Sequence, residues 1–227
     1  MHIPDGFLDP KISTGLIGAA AVVISFSLSK VKEAVTALQP VAALATVGKG
    51  VGNMFSGMRR VLTGDGEKTL YKMGMAAALI FVAQMLDFPI SSGTTGHLTG
   101  GVFAAVILGP FAGAIVISVV LAAQMLFFAD GGLLAIGANI FNMALAGTIL
   151  AYYIYYLIKK FAPEWMAIMV AAWFSVVLAA FFCAIELGLS GTIPLAVALP
   201  AMVKAYMLIG IAEALITVAL VNLFRNL

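Results

Sequence analysis

The chain contains two histidines, and both occupy positions from which a metal ion could be held. The chain begins Met-His-Ile-Pro-Asp-Gly. A histidine at position 2 behind a free α-amine offers three nitrogens in a row: the amine of Met1, the backbone nitrogen of His2 and its imidazole Nδ1. Binding one ion through all of them closes two small chelate rings in a common plane. The amide must give up its proton, which only a strongly polarising divalent ion can demand. A further nitrogen from His97 would complete a square plane. That geometry favours Ni(II) or Cu(II) over tetrahedral zinc and over the oxygen-seeking magnesium and calcium. The competing reading makes His2 an incidental polar residue and His97 an ordinary loop residue. Residue types and spacing alone leave both open.

Two local sequences would have to position these groups. Pro4 biases Ile3 toward extended backbone, and Pro4-Asp5-Gly6 reads as a turn, so residues 1–11 form a short, stiff, folded-back stub. Methionine removal is not expected ahead of a residue as large as His2. No basic n-region or A-x-A site marks a cleaved leader. His97 lies in DFPISSGTTGHLTGGV, whose repeated glycines let a loop approach other backbone closely. Such a loop survives near membrane depth where protein buries it or where it lines a polar cavity.

That membrane setting follows from composition. Of the 227 residues, 63% are hydrophobic and only 10% charged, against about 25% charged in soluble domains. The apolar runs are continuous, which excludes the alternating strands of an outer-membrane barrel. They span 12–29, 70–86, 100–108, 111–128, 138–158, 165–187 and 199–224. The expected fold is therefore all-α and polytopic, one membrane domain over 1–227 with about seven transmembrane helices. The short run 100–108 counts as a crossing only by extending back through GTTGHLTGG. With Met1 outside and the C-terminus cytoplasmic, ten of the twelve basic residues fall on the cytoplasmic side, which satisfies the positive-inside rule. Residues 30–69 are basic and Gly-rich, either a cytoplasmic loop with an interfacial helix or a distorted hairpin. The net charge of +2, with no basic block, excludes nucleic acid as an expected partner. The one cysteine, Cys183, can form no internal disulfide.

Other residues divide between functional and structural readings. Asn139 and Asn142 share a helix face and either orient His2, His97 or the turn, or bond between helices. Asp5, Asp87 and Asp130 either draw cations to the outer mouth or act as solvated caps. Glu213 is costly at mid-membrane; structural pairing is slightly preferred for it, and for Glu186 with Lys204. The twelve methionines read mainly as packing. Gly74 with Ala78, and Gly15 with Ala19, are small-xxx-small pairs suited either to internal packing or to a partner helix. An intramembrane hydrolase using His97 with Ser91 or Ser92 lacks any Gly-x-Ser-x-Gly elbow or HExxH pair. A stand-alone secondary transporter would show inverted repeats, and none is visible.

The stretches MHIPDGFL, FVAQMLDFPISSGTTGHLTGG, AVILGPFAG and FADGGLLAIGANIFNM together resemble the nickel/cobalt substrate-capture subunits of energy-coupling-factor transporters, the NikM/CbiM family. The resemblance runs to about Met143, interrupted around 30–69; beyond it the similarity is mainly in hydropathy. The basic insert at about 48–72 departs from the family's compact pattern. The resemblance implies a non-enzymatic subunit of a prokaryotic plasma membrane that takes Ni(II) or Co(II) from outside. Its implied partners are membrane lipid, a transmembrane coupling protein and two cytoplasmic ATPases, with or without a small accessory membrane subunit. It implies Met1, His2 and His97 as metal ligands. GTTGHLTGG is closer to the nickel-type loop than to the His-Pro form of cobalt subunits, which favours Ni(II) with Co(II) as the alternative.

Overall fold

The computed structural model describes residues 2–40, 58–85, 88–91 and 94–226. Among the described residues the chain is mostly helical, with two short antiparallel strand pairs. Helix α1 (Pro10–Val35) opens with Asp9 as its N-cap, whose carboxylate accepts the Lys11 N–H at 2.8 Å, and with Pro10 in the first turn. Proline is well suited there because its missing N–H has no intrahelical partner. Strand β1 (Thr36–Pro40) then pairs with β2 (Met58–Leu62). In the described part of 30–69, α1 continues to Val35, β1 and β2 pair, and α2 begins at Gly64; 41–57 lie outside the described residues. Thr63 caps α2 (Gly64–Gln84) through its hydroxyl, which accepts the Gly66 N–H at 2.9 Å. Strands β3 (Phe88–Ser91) and β4 (Thr94–Gly96) lead to α3 (Gly101–Leu108).

Helix α4 (Pro110–Phe128) follows, then α5 (Ile136–Ile140), a π-helical segment (Phe141–Leu150) and α6 (Ala151–Ile158), which run on as one rod. Helices α7 (Glu164–Leu189) and α8 (Leu195–Arg225) form the closing hairpin. Among the described residues five stretches are long and apolar enough to cross a membrane: α1, α4, the α5–α6 rod, α7 and α8. The chain is a multi-pass membrane protein. Large apolar side chains stand outward, Val22 at 69% exposure and Phe127 at 78%, where lipid replaces water as the favoured contact.

Two of the seven expected crossings are not among these five stretches. The first turns of α2 carry Asp65, Glu67, Lys68 and Lys72, so only its second half is apolar. The run ending at Leu108 does not extend back through the glycine loop. Helix α3 has eight residues, about 12 Å at 1.5 Å per residue, too short to span. Gly100 at φ +71° breaks the helix on its N-terminal side, a conformation that favours glycine. Instead α3 lies in the core: Val102, Phe103, Ala104 and Ala105 are fully buried, and the first three join Ile80, Ile117, Leu121 and Met143 in one apolar cluster.

Close approach makes this possible. A Cβ at Gly101 would stand 2.3 Å from the carbonyl oxygen of Gly147 in the π-helical segment. Alanines on α7 (Ala167, Ala171, Ala172, Ala179, Ala180, Ala184) are buried and keep its neighbours near. Because backbone faces the added methyl, Gly101→Ala should destabilise by at least the usual overpacking cost, about 1–3 kcal/mol. A lowered unfolding midpoint in detergent would show it; an unchanged midpoint would contradict this packing.

Candidate metal centre

The N-terminal stub is docked. Ile3 is 3% exposed and sits among Ala135, Ala138, Cys183 and Leu187. Its N–H donates to Asn139 Oδ1 at 2.8 Å, while Asn139 Nδ2 donates back to the Ile3 carbonyl at 3.2 Å. The Gly132 N–H reaches that same carbonyl at 2.9 Å. Asp5 then accepts the N–H groups of Leu133 and Leu134 at 2.9 and 2.8 Å, and the Thr192 hydroxyl donates to the Phe7 carbonyl. One amide side chain therefore treats the stub as a strand would, satisfying donor and acceptor of a single buried residue.

The second stretch is the loop from His97 to Gly100, buried throughout. Gln84 Nε2 donates to the Thr99 carbonyl at 2.7 Å from α2. From α8, Glu213 accepts the N–H groups of Thr99 and Gly100 and the Thr99 hydroxyl. His97 Nδ1 lies 3.0 Å from the Leu98 carbonyl. A carbonyl only accepts, so Nδ1 carries the proton and the lone pair is on Nε2, the nitrogen suited to a metal. Burial lowers this imidazole to about 3, which keeps the ring in its neutral, ligating form at ordinary pH.

These two segments bring His2 and His97 together across 95 positions of sequence. Their rings stack with centroids 4.8 Å apart and planes inclined by 17°. His2 Nδ1 stands 2.8 Å from Asp130 Oδ1, with the His2 side chain buried and Asp130 half-buried. That hydrogen bond holds the Asp130 carboxyl below the usual carboxylate range. The rings border a cavity of about 420 Å³, whose wall includes Asp130, Cys183, Met202 and Tyr206. Among the described residues, no three His, Cys, Asp or Glu side chains form a ready-made metal cage.

Met1 and Asp87 lie outside the described residues. Asn139 holds the stub through Ile3, whereas Asn142 turns to Glu186, donating to Oε2 at 2.7 Å. Glu186 thus takes an amide partner, not the Lys204 pairing that the sequence suggests. Asp5 caps the backbone N–H groups of Leu133 and Leu134. Gly74 and Ala78 are exposed on α2, and a Cβ at Gly74 would meet nothing within 4 Å, so this pair does not serve internal packing. Sequence reasoning missed the roles of Gln84, Met202 and Tyr206. Gln84 had a signal, a lone amide inside an apolar run; Met202 and Tyr206 had none that set them apart from packing residues.

Asn139→Ala would leave the buried Ile3 N–H without its acceptor, a loss of about 1–3 kcal/mol. Amide exchange at Ile3 should accelerate roughly tenfold or more, read by hydrogen–deuterium exchange. Exchange unchanged from the parent would show that Asn139 does not hold the stub.

Comparison with known proteins agrees with this architecture. A family model described as cobalt uptake substrate-specific transmembrane region, CbiM, matches residues 37–227. The fused nickel transport protein NikMN of Rhodobacter capsulatus is 36% identical over 203 residues, covering 81% of this chain and 58% of that protein. The cobalt transport protein CbiM of Roseiflexus sp. is 36% identical over 118 residues, covering 51% of this chain and 47% of its own length. The chain thus spans about half to three fifths of these relatives. A crystal structure of a transition metal transporter superposes with a TM-score of 0.78 at 30% identity, covering 100% of this chain and 93% of the other. The biotin S-component of an ECF-type ABC transporter shares the fold, with a TM-score of 0.56 at 22% identity over 74% of this chain and 96% of that one. The chain belongs to the CbiM family of substrate-specific transmembrane transport proteins.

Proposed function

We propose that this protein is the metal-capture subunit of an ATP-driven importer of the energy-coupling-factor type, and that its substrate is Ni(II). The observation that carries the reading is the buried, stacked pair His2 and His97 at the wall of one cavity. The ligand set is the Met1 amine, the backbone nitrogen and Nδ1 of His2, and Nε2 of His97. Four nitrogens in a plane suit Ni(II). The fixed backbone at Ile3 and the fixed tautomer of His97 reduce the reorganisation needed on binding. Loading must move His2 Nδ1 off Asp130, so Asp130 competes with the ion for that nitrogen.

Orientation follows from charge. The stub, Asp130 and the turn at 190–194 share one end of the helix bundle, taken as the outside. At the other end Glu164 accepts from Lys159 at 2.7 Å and from both Arg225 guanidinium nitrogens at 3.0 and 3.1 Å. That basic-rich end faces the cytoplasm. The chain has no Walker-type phosphate loop, so hydrolysis falls to two ATPase subunits through a transmembrane coupling protein. The exposed Gly74–Ala78 strip offers that partner a close helix contact. Co(II) is the second reading, favoured by the wording of the family description and by the Roseiflexus relative's name.

Titration of the purified protein with Ni(II) should give near one-to-one binding with proton release, and affinity should rise with pH as the amine and amide lose protons more readily. A residue added ahead of Met1 should abolish binding; unchanged affinity would overturn the chelate. Competition with Co(II) in the same cell decides the metal. Gly74→Leu should leave metal binding intact while lowering recovery of the complex with the coupling protein. Full recovery would remove this strip as the docking contact.

A further inference from the structure

Glu213 is the most deeply buried acidic side chain among the described residues, 1% exposed within the apolar span α8. An acid in such a place is expensive, and its persistence needs named partners. Its partners are all donors of the His97 loop. Oε2 accepts the Thr99 N–H at 2.8 Å; Oε1 accepts the Thr99 hydroxyl at 2.7 Å and the Gly100 N–H at 3.0 Å. The two carboxyl oxygens accept from all three donors at once, so α8 holds the loop at three points. The contacts fall two and three residues after His97, where the loop turns into α3 through the positive φ of Gly100. With Gln84 holding the Thr99 carbonyl from α2, the chain beyond His97 is gripped from two helices. Helix α8 also contributes Met202 and Tyr206 to the cavity wall beside both histidines.

We propose that Glu213 is a positioning residue for metal capture: by holding Thr99 and Gly100 from α8 it sets where His97 stands, and so ties the metal site to that helix. This rests on the capture function proposed above. The lost grip should weaken the site as the removal of supporting groups weakens other metal sites, by about 10–100-fold.

The test uses the full chain and Ni(II) titration of the parent protein, Glu213→Gln, His97→Ala and the double variant. Glutamine keeps the volume but offers one acceptor oxygen and turns an N–H₂ toward donors. Glu213→Gln should lose about 10–100-fold in affinity, and its nickel-loaded absorption spectrum should lose the parent's ligand-field signature. Added to His97→Ala, it should cost little more, because both act on the same ligand. A folded Glu213→Gln protein with parent affinity and spectrum would overturn the inference, as would losses that simply add. If that variant does not fold, Thr99→Val removes the hydroxyl donor alone. It should show a smaller loss with the same non-additivity, and parent affinity there would equally overturn it. Absence of nickel binding by the parent, or no loss in His97→Ala, would instead sink the capture reading and this inference with it.

Discussion

Backbone that leaves the helix inside a membrane protein cannot rely on water for its hydrogen bonds. Among the described residues, Ile3 of the stub and the loop from His97 to Gly100 do so, and they are buried. Their polar groups are met by side chains placed for the purpose: Asn139 on Ile3, Gln84 and Glu213 on Thr99 and Gly100. Remove these partners and the cost of orphaned N–H and C=O groups would expel both segments from the bundle. The cavity, the two imidazoles and their mutual geometry all depend on those bonds.

The same requirement explains why α3 is short. A helix reaching back through the loop would satisfy its own amides, but it would turn His97 with its helical neighbours and leave Glu213 without donors. The chain instead starts α3 at Gly101, gives the N–H groups of Thr99 and Gly100 just before it to Glu213, and buries the helix among Ile80, Ile117 and Met143. The π-helical segment contributes here too. Gly147 lets Gly101 approach its carbonyl. At the segment's start Asn142 faces α7, while Asn139, in the α-helical turn just before, faces the stub. Wide helical turns of this kind often occur where a site has to be shaped.

Much of this was legible in the sequence. Hydropathy located the long spans, because lipid-facing helices need apolar side chains all round and the runs are continuous. The unusual position of His2 and the glycine setting of His97 marked the two residues that the fold brings to 4.8 Å. What was not legible were contacts set by tertiary direction. Asn139 and Asn142 look equivalent at three residues apart, yet a change in helical winding at Phe141 follows the first, and they reach different elements. Glu213 reads in sequence as a residue in need of a structural partner; only the fold shows that its partners are two backbone amides and a hydroxyl more than a hundred residues away. Asp5 and Asp130 have the same chemistry, but one caps a turn and the other meets His2.

The central claim is that one metal ion is held in a plane by main-chain nitrogen and two imidazoles. An X-ray absorption spectrum of the nickel-loaded protein tests it most directly. The account predicts the pre-edge of a square-planar ion, with nitrogen as the nearest shell and outer-shell scattering from two imidazole rings. A six-coordinate spectrum dominated by oxygen, or a sulfur shell from Cys183 or Met202, would contradict it.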